Sequence, residues 1–81
     1  MKMFENTDVV FVYDNEKRNK EIINKMDRII ADNYKIVIWP KHVTQKDIND
    51  MILNDIDVMN IIEHNTYQGL TAKTKLLEFK L

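Results

Sequence analysis

Cysteine is absent from the 81 residues, glycine and proline occur once each, and there are only two histidines. Without cysteine there are no disulfides, no thiolate zinc sites and no cysteine nucleophiles, as is usual in a reducing compartment. A single glycine, Gly69, excludes a glycine-rich phosphate loop, and no Ser/His/Asp or Cys/His arrangement points to acyl transfer. His42 and His64 lack the paired spacing of a zinc motif and read as ordinary surface or helix residues. No apolar run approaches the roughly 20 residues of a membrane span, and the N-terminus lacks a signal peptide's apolar core, so the expectation is a soluble, cytoplasmic protein without membrane contact. A net charge of −1 gives no global attraction to nucleic acid, so any phosphate contact must come from a local patch or through a metal.

What is present is a globular composition, 44% apolar and 31% charged, in a length that suits one small domain over 1–81. Such a chain buries only about 60% of its unfolded surface, and a partner would add to its stability. Residues from about Asp8 to Tyr13 and from Lys35 to Trp39 form continuous β-branched and aromatic runs, the pattern of strands covered on both faces. Between them Ile22, Ile23, Met26, Ile29 and Ile30 recur at helical spacing, predicting a helix from about Lys17 to Asp32. Strand, helix, strand is a βαβ unit with parallel strands, and the fold class is α/β with a small parallel sheet.

Beyond Pro40, Thr44-Gln45-Lys46-Asp47 has the form of a capping box, opening a helix with Ile48, Met51 and Ile52 on its apolar side. A turn near Asn54 and Asp55 follows, then a helix capped by Asp57 through Val58, Ile61 and Ile62. Gly69 separates this from a C-terminal helix with an expected apolar stripe of Leu70, Leu77 and Leu81. Two parallel strands alone leave open edges, which predicts a second copy, a separate polypeptide, or cover from Met3-Phe4 and the C-terminal helices.

Candidate chemistry sits where the strands emerge. Tyr13-Asp14-Asn15-Glu16-Lys17-Arg18 follows the first apolar run; if it stays extended, Asp14 and Glu16 point to one side and Asn15 to the other. Lys46-Asp47-Ile48-Asn49-Asp50 follows the second run and, in a parallel sheet, shares its carboxyl edge, where open α/β sheets bind ligands. Carboxylates suit Mg²⁺ or Mn²⁺. Taken singly, each acid also reads as a turn or helix-terminus residue. Lys17 and Arg18 could meet phosphates or be a solvated pair. Lys73, Lys75 and Lys80 could touch a nucleic-acid backbone or serve the helix dipole, and Trp39 and Tyr67 read as core or cap residues more readily than as base-stacking platforms.

These segments, with Ile38-Trp39 and Asn65-Thr66-Tyr67-Gln68-Gly69-Leu70-Thr71-Ala72-Lys73, resemble the C-terminal part of the DNA primases of T-even-type bacteriophages over nearly the whole chain. Those primases carry a Toprim catalytic domain that binds divalent metal through clustered carboxylates for phosphoryl transfer. The resemblance implies half of a Toprim domain, in which Asp14 and Glu16 match the Asp-x-Asp pair and Asp47, Asn49 and Asp50 match the later acidic segment. It implies Asp14, Glu16 and Asp47 as catalytic metal ligands, with Asp50 as a ligand or beside one, and Mg²⁺ or Mn²⁺ assisting RNA primer synthesis in an infected bacterial host. Glu16 and Asn49 depart from the usual aspartates, and the upstream glutamate motif would lie before Met1. The expectation is a primase fragment, inactive until a homodimer partner or a separate polypeptide completes it, working with single-stranded DNA, nucleotides and a replicative helicase. The alternative is a non-catalytic module that binds a helicase, a single-strand-binding protein or a host factor.

Overall fold

The computed structural model describes residues 9–81. Over that span three strands and four helices follow in the order β1 (Val10–Phe11), α1 (Lys20–Ala31), β2 (Lys35–Val37), α2 (Ile48–Leu53), α3 (Val58–His64), β3 (Thr66–Tyr67) and α4 (Gly69–Lys80). The βαβ unit forms as its pattern predicts: β1 runs parallel to β2, with Val10 opposite Lys35 and Phe11 opposite Ile36. The fold is α/β, and its sheet is mixed, because β3 pairs antiparallel with the other side of β2.

That third strand amends the expected two-stranded sheet. Ile36 faces Tyr67, Val37 faces Thr66, and the Ile38 amide donates to the Asn65 carbonyl at 3.0 Å, so the central strand is paired along both sides. Ile36 and Val37 are fully buried, as residues of a central strand covered on both faces should be. The strands are shorter than their apolar runs; Asp8, the expected first residue of β1, lies outside the described residues.

Caps explain where the helices stop and start. Helix α1 begins at Lys20 rather than at Lys17 because Asn19 accepts from the Glu21 and Ile22 amides at 3.0 and 3.2 Å, which serves the first unpaired donors of the helix. It ends in a left-handed residue, Asn33 (φ 63°); the Asn33 amide donates to Ile30 and the Tyr34 amide to Ile29, the reciprocal pair of a Schellman motif. The same motif closes α2 at Asp55 (φ 60°), whose amide donates to Ile52 while that of Ile56 donates to Met51. The turn expected at Asn54–Asp55 and the Asp57 cap of α3 are both present, Asp57 accepting from Asn60 N at 3.2 Å. The cap of α2 is Asp47 and not Thr44: its carboxylate accepts from the Asp50 amide at 2.8 Å, and the helix starts at Ile48.

The core joins Met26 and Ile30 of α1, Ile36 and Val37 of β2, Ile38, Trp39, Val43, Met51 and Val58 to Ala72, Leu76 and Phe79 of α4. Helix α4 therefore buries a different face from the expected stripe, and Leu70 and Leu81 are 78% and 82% exposed. Both faces carry apolar residues at helical spacing. The buried one has Ala72 completely covered and Phe79 filling space near Trp39, a small-and-large pair that allows close approach to α1 and the sheet.

Candidate functional site

Beyond β1 the chain leaves extended geometry, so Asp14 and Glu16 are not on one side of a strand as the spacing suggested. They flank Asn15 in a tight loop, where the Glu16 amide donates to the Asp14 carbonyl at 2.9 Å and the Asn19 amide to the Glu16 carbonyl at 3.0 Å. Lys17 and Arg18 occupy the exposed corners of the turn from Glu16 to Asn19.

Asn15 joins this loop to the one after β2. Its amide donates to the Lys46 carbonyl at 2.6 Å, and its side-chain Nδ2 donates to the carbonyls of Val43 and Gln45, each at 2.9 Å. The buried Trp39 adds a fourth link, Nε1 donating to the Tyr13 carbonyl at 2.8 Å. Trp39 is thus a core residue, as its apolar neighbours suggested, and the polar edge of its ring is satisfied by the loop it anchors.

The clamp makes neighbours of the two acidic segments: Asp14 and Glu16 are each one residue from Asn15, and Asp47 is one residue from Lys46. Glu16 is half-buried, whereas Asp14, Asp47 and Asp50 are exposed. Asp47 already accepts a hydrogen bond as the α2 cap, and the Asp50 carbonyl accepts from Asn54 Nδ2 at 2.7 Å. Among the described residues no three carboxylate or imidazole groups gather as a metal-holding cluster. The donor chemistry suits a hard cation and the two loops are held together, but the set falls short of a complete centre.

The remaining candidates separate. Tyr67 is half-buried with Lys75 Nζ 5.5 Å from its ring centre, and Lys75 also pairs with Glu78 at 3.8 Å, so this lysine is held on α4's own surface. Lys80 instead shares a groove with Lys17 and Arg18. His64 is hydrogen-bonded to the Asn60 carbonyl one turn earlier at 2.8 Å, as a helix-end residue would be. Asn15 is the residue that sequence reasoning missed. Between two acids it reads as a spacer, and nothing local marks its role, since its partners are 28 to 31 positions away.

Over 75 residues, 86% of this chain, the sequence is 32% identical to the DNA primase of Enterobacteria phage T4. It is similar to a segment of a phage DNA primase. The chain spans about a fifth of that primase's length, 22%. No family model matches it. Among the described residues no helix is long and apolar enough to cross a membrane.

Proposed function

We propose that this primase-related chain is one side of a Toprim-type metal site, contributing Asp14, Glu16 and Asp47, with Asp50 beside them, to primer synthesis that requires a second polypeptide or a second copy for completion. The observation that carries this reading is the Asn15 clamp, which holds the loops after two parallel strands together at the carboxyl edge. Mg²⁺ or Mn²⁺ bound there would supply charge stabilisation for phosphoryl transfer. This chain's own contribution is to orient the acids of the first loop against the start of α2 and to present Lys17 and Arg18 next to them. In this reading the partner adds further donors to the acids of the two loops, and the isolated chain should make no primer.

The test is template-directed primer synthesis by a phage primase lacking the corresponding segment, with this chain added in trans. Restored synthesis that disappears with Asp14→Asn/Glu16→Gln supports the reading. Synthesis by this chain alone, or rescue that the double variant leaves intact, overturns it.

A second reading, a non-catalytic docking module, is favoured by the exposed apolar side chains of α2, α3 and α4, including Leu53 at 73%, Met59 at 67% and Leu70 at 78%. It predicts that partner binding survives Asp14→Asn/Glu16→Gln and is lost on replacing those apolar residues.

A further inference from the structure

Helix α4 carries two apolar faces. Ala72, Leu76 and Phe79 are buried, while Leu70, Thr74, Leu77 and Leu81 are all exposed. At 3.6 residues per turn these four fall within an arc of about 60°, directly across the helix from the buried three. Single exposed leucines are ordinary. Here three of them, exposed at 78%, 55% and 82%, share one line along about 18 Å of helix. The exposed Leu53 and Met59 lie on α2 and α3, which at 6 and 7 residues are too short to carry such a repeat.

The spacing is that of a two-helix seam. Leu70, Thr74, Leu77 and Leu81 alternate in steps of four, three and four, which keeps one stripe of a helix against a second helix. The borders of the stripe are charged with opposite signs, Lys73 and Lys80 along one side and Glu78, with Thr71, along the other, all of them exposed. Laid parallel, two copies of α4 bring Lys73 of each against Glu78 of the other, twice by symmetry. Laid antiparallel, they set Lys73 of one against Lys80 of the other. Lys75 reaches Glu78 at 3.8 Å within the helix, but the two side chains are 40% and 55% exposed, and so solvated a contact is readily exchanged. The last residue, Leu81, brings its carboxylate near its copy in the parallel pair, where Lys80 of each chain is the neighbouring counter-charge.

We propose that α4 is a self-association surface, through which two copies of this chain pair by Leu70, Thr74, Leu77 and Leu81 in a parallel, two-fold contact. Because the stripe faces away from the core, an axis along it sets the two bodies on opposite sides. The acidic loops stay outside the contact, since Phe79, which borders the same cavity as Asn15 and Lys17, is on the buried side of α4. Pairing therefore needs no metal, and the proposal rests on neither functional reading above. One short helix from each copy makes an interface of the small class, below about 1,200 Å², whose association is weak and reversible.

The experiment is sedimentation equilibrium of the whole chain in EDTA at concentrations up to about 1 mM, which detects any Kd tighter than that value. A monomer–dimer equilibrium is expected, with Leu77→Lys monomeric throughout. Lys73→Glu turns two attractions into repulsions and should weaken the dimer about tenfold, and adding Glu78→Lys should restore it to within about threefold of wild type. Orientation is read by Thr74→Cys, which keeps all three leucines. The chain has no cysteine of its own, and the parallel pair sets the two new thiols across the axis within disulfide reach, so air oxidation should link them. Thr71→Cys, on the border of the stripe, should stay unlinked. A wild type that remains monomeric overturns the proposal and assigns the stripe to a different partner, a result that stands even if a variant fails to fold. A dimer that Leu77→Lys leaves intact, a charge exchange that recovers nothing, or equal linking of the two cysteine variants overturns it as well.

Discussion

Replacing Asn15 by alanine removes both side-chain bonds of the loop clamp, to the carbonyls of Val43 and Gln45, while the main-chain bond to Lys46 can remain. At a net 0.5–1.5 kcal/mol for each hydrogen bond, the loss is about 1–3 kcal/mol. A domain of this size has roughly 5 kcal/mol or little more to lose, and each kcal/mol shifts Tm by about 4–8 °C, so a fall of roughly 10 °C is expected near the middle of the range. Asn15→Asp is the sharper variant, because it keeps the shape but turns a carboxylate toward two carbonyl oxygens; it should be at least as unstable as alanine at neutral pH. Thermal unfolding followed by circular dichroism reads both. If Asn15→Ala melts within about 1 °C of wild type, the loops are held by something other than Asn15, and the argument that places the acidic segments together fails.

Three further outcomes follow from the packing and the caps. Leu76→Ala should cost about 2–5 kcal/mol in urea unfolding, whereas Leu77→Ala, one residue on and 55% exposed, should cost well under about 1 kcal/mol; the opposite order would mean α4 faces the other way. Gly69→Ala should destabilise by about 1–2 kcal/mol in the same assay although the new methyl has room, its nearest neighbour being Asn33 Oδ1 at 3.7 Å, because φ at Gly69 is 64° and only glycine takes that conformation without strain. Asp47→Asn should preserve Tm, since asparagine caps as well as aspartate, whereas Asp47→Ala should lose about 1 kcal/mol by the same measurement.

How much of this was legible in the sequence depended on whether the signal was local. The parallel βαβ unit, the turn at Asn54–Asp55 and the Asp57 cap rest on neighbouring residues, and all are present. Strand β3 escaped because two residues, squeezed between α3 and Gly69, show no period; what makes them a strand is the free edge of β2. The buried face of α4 escaped because Leu70, Leu77, Leu81 and Ala72, Leu76, Phe79 both satisfy helical spacing, and only the shape of the neighbouring α1 and sheet chooses between them. At the candidate site, sequence placed the two acidic segments after successive strands but attributed the alignment of Asp14 and Glu16 to strand geometry. The structure replaces that with a loop held by Asn15 and Trp39, whose long-range partners no local pattern announces.

The central claim, that these loops form one side of a metal site, is tested most directly by titrating Mn²⁺ into ¹⁵N-labelled protein and following paramagnetic broadening of the amide signals. The account predicts selective broadening of Asp14–Arg18 together with Asp47–Asp50, abolished by Asp14→Asn/Glu16→Gln. Broadening spread evenly over the other surface acids such as Asp27, Asp32 and Glu63, or confined to only one of the two loops, would contradict it.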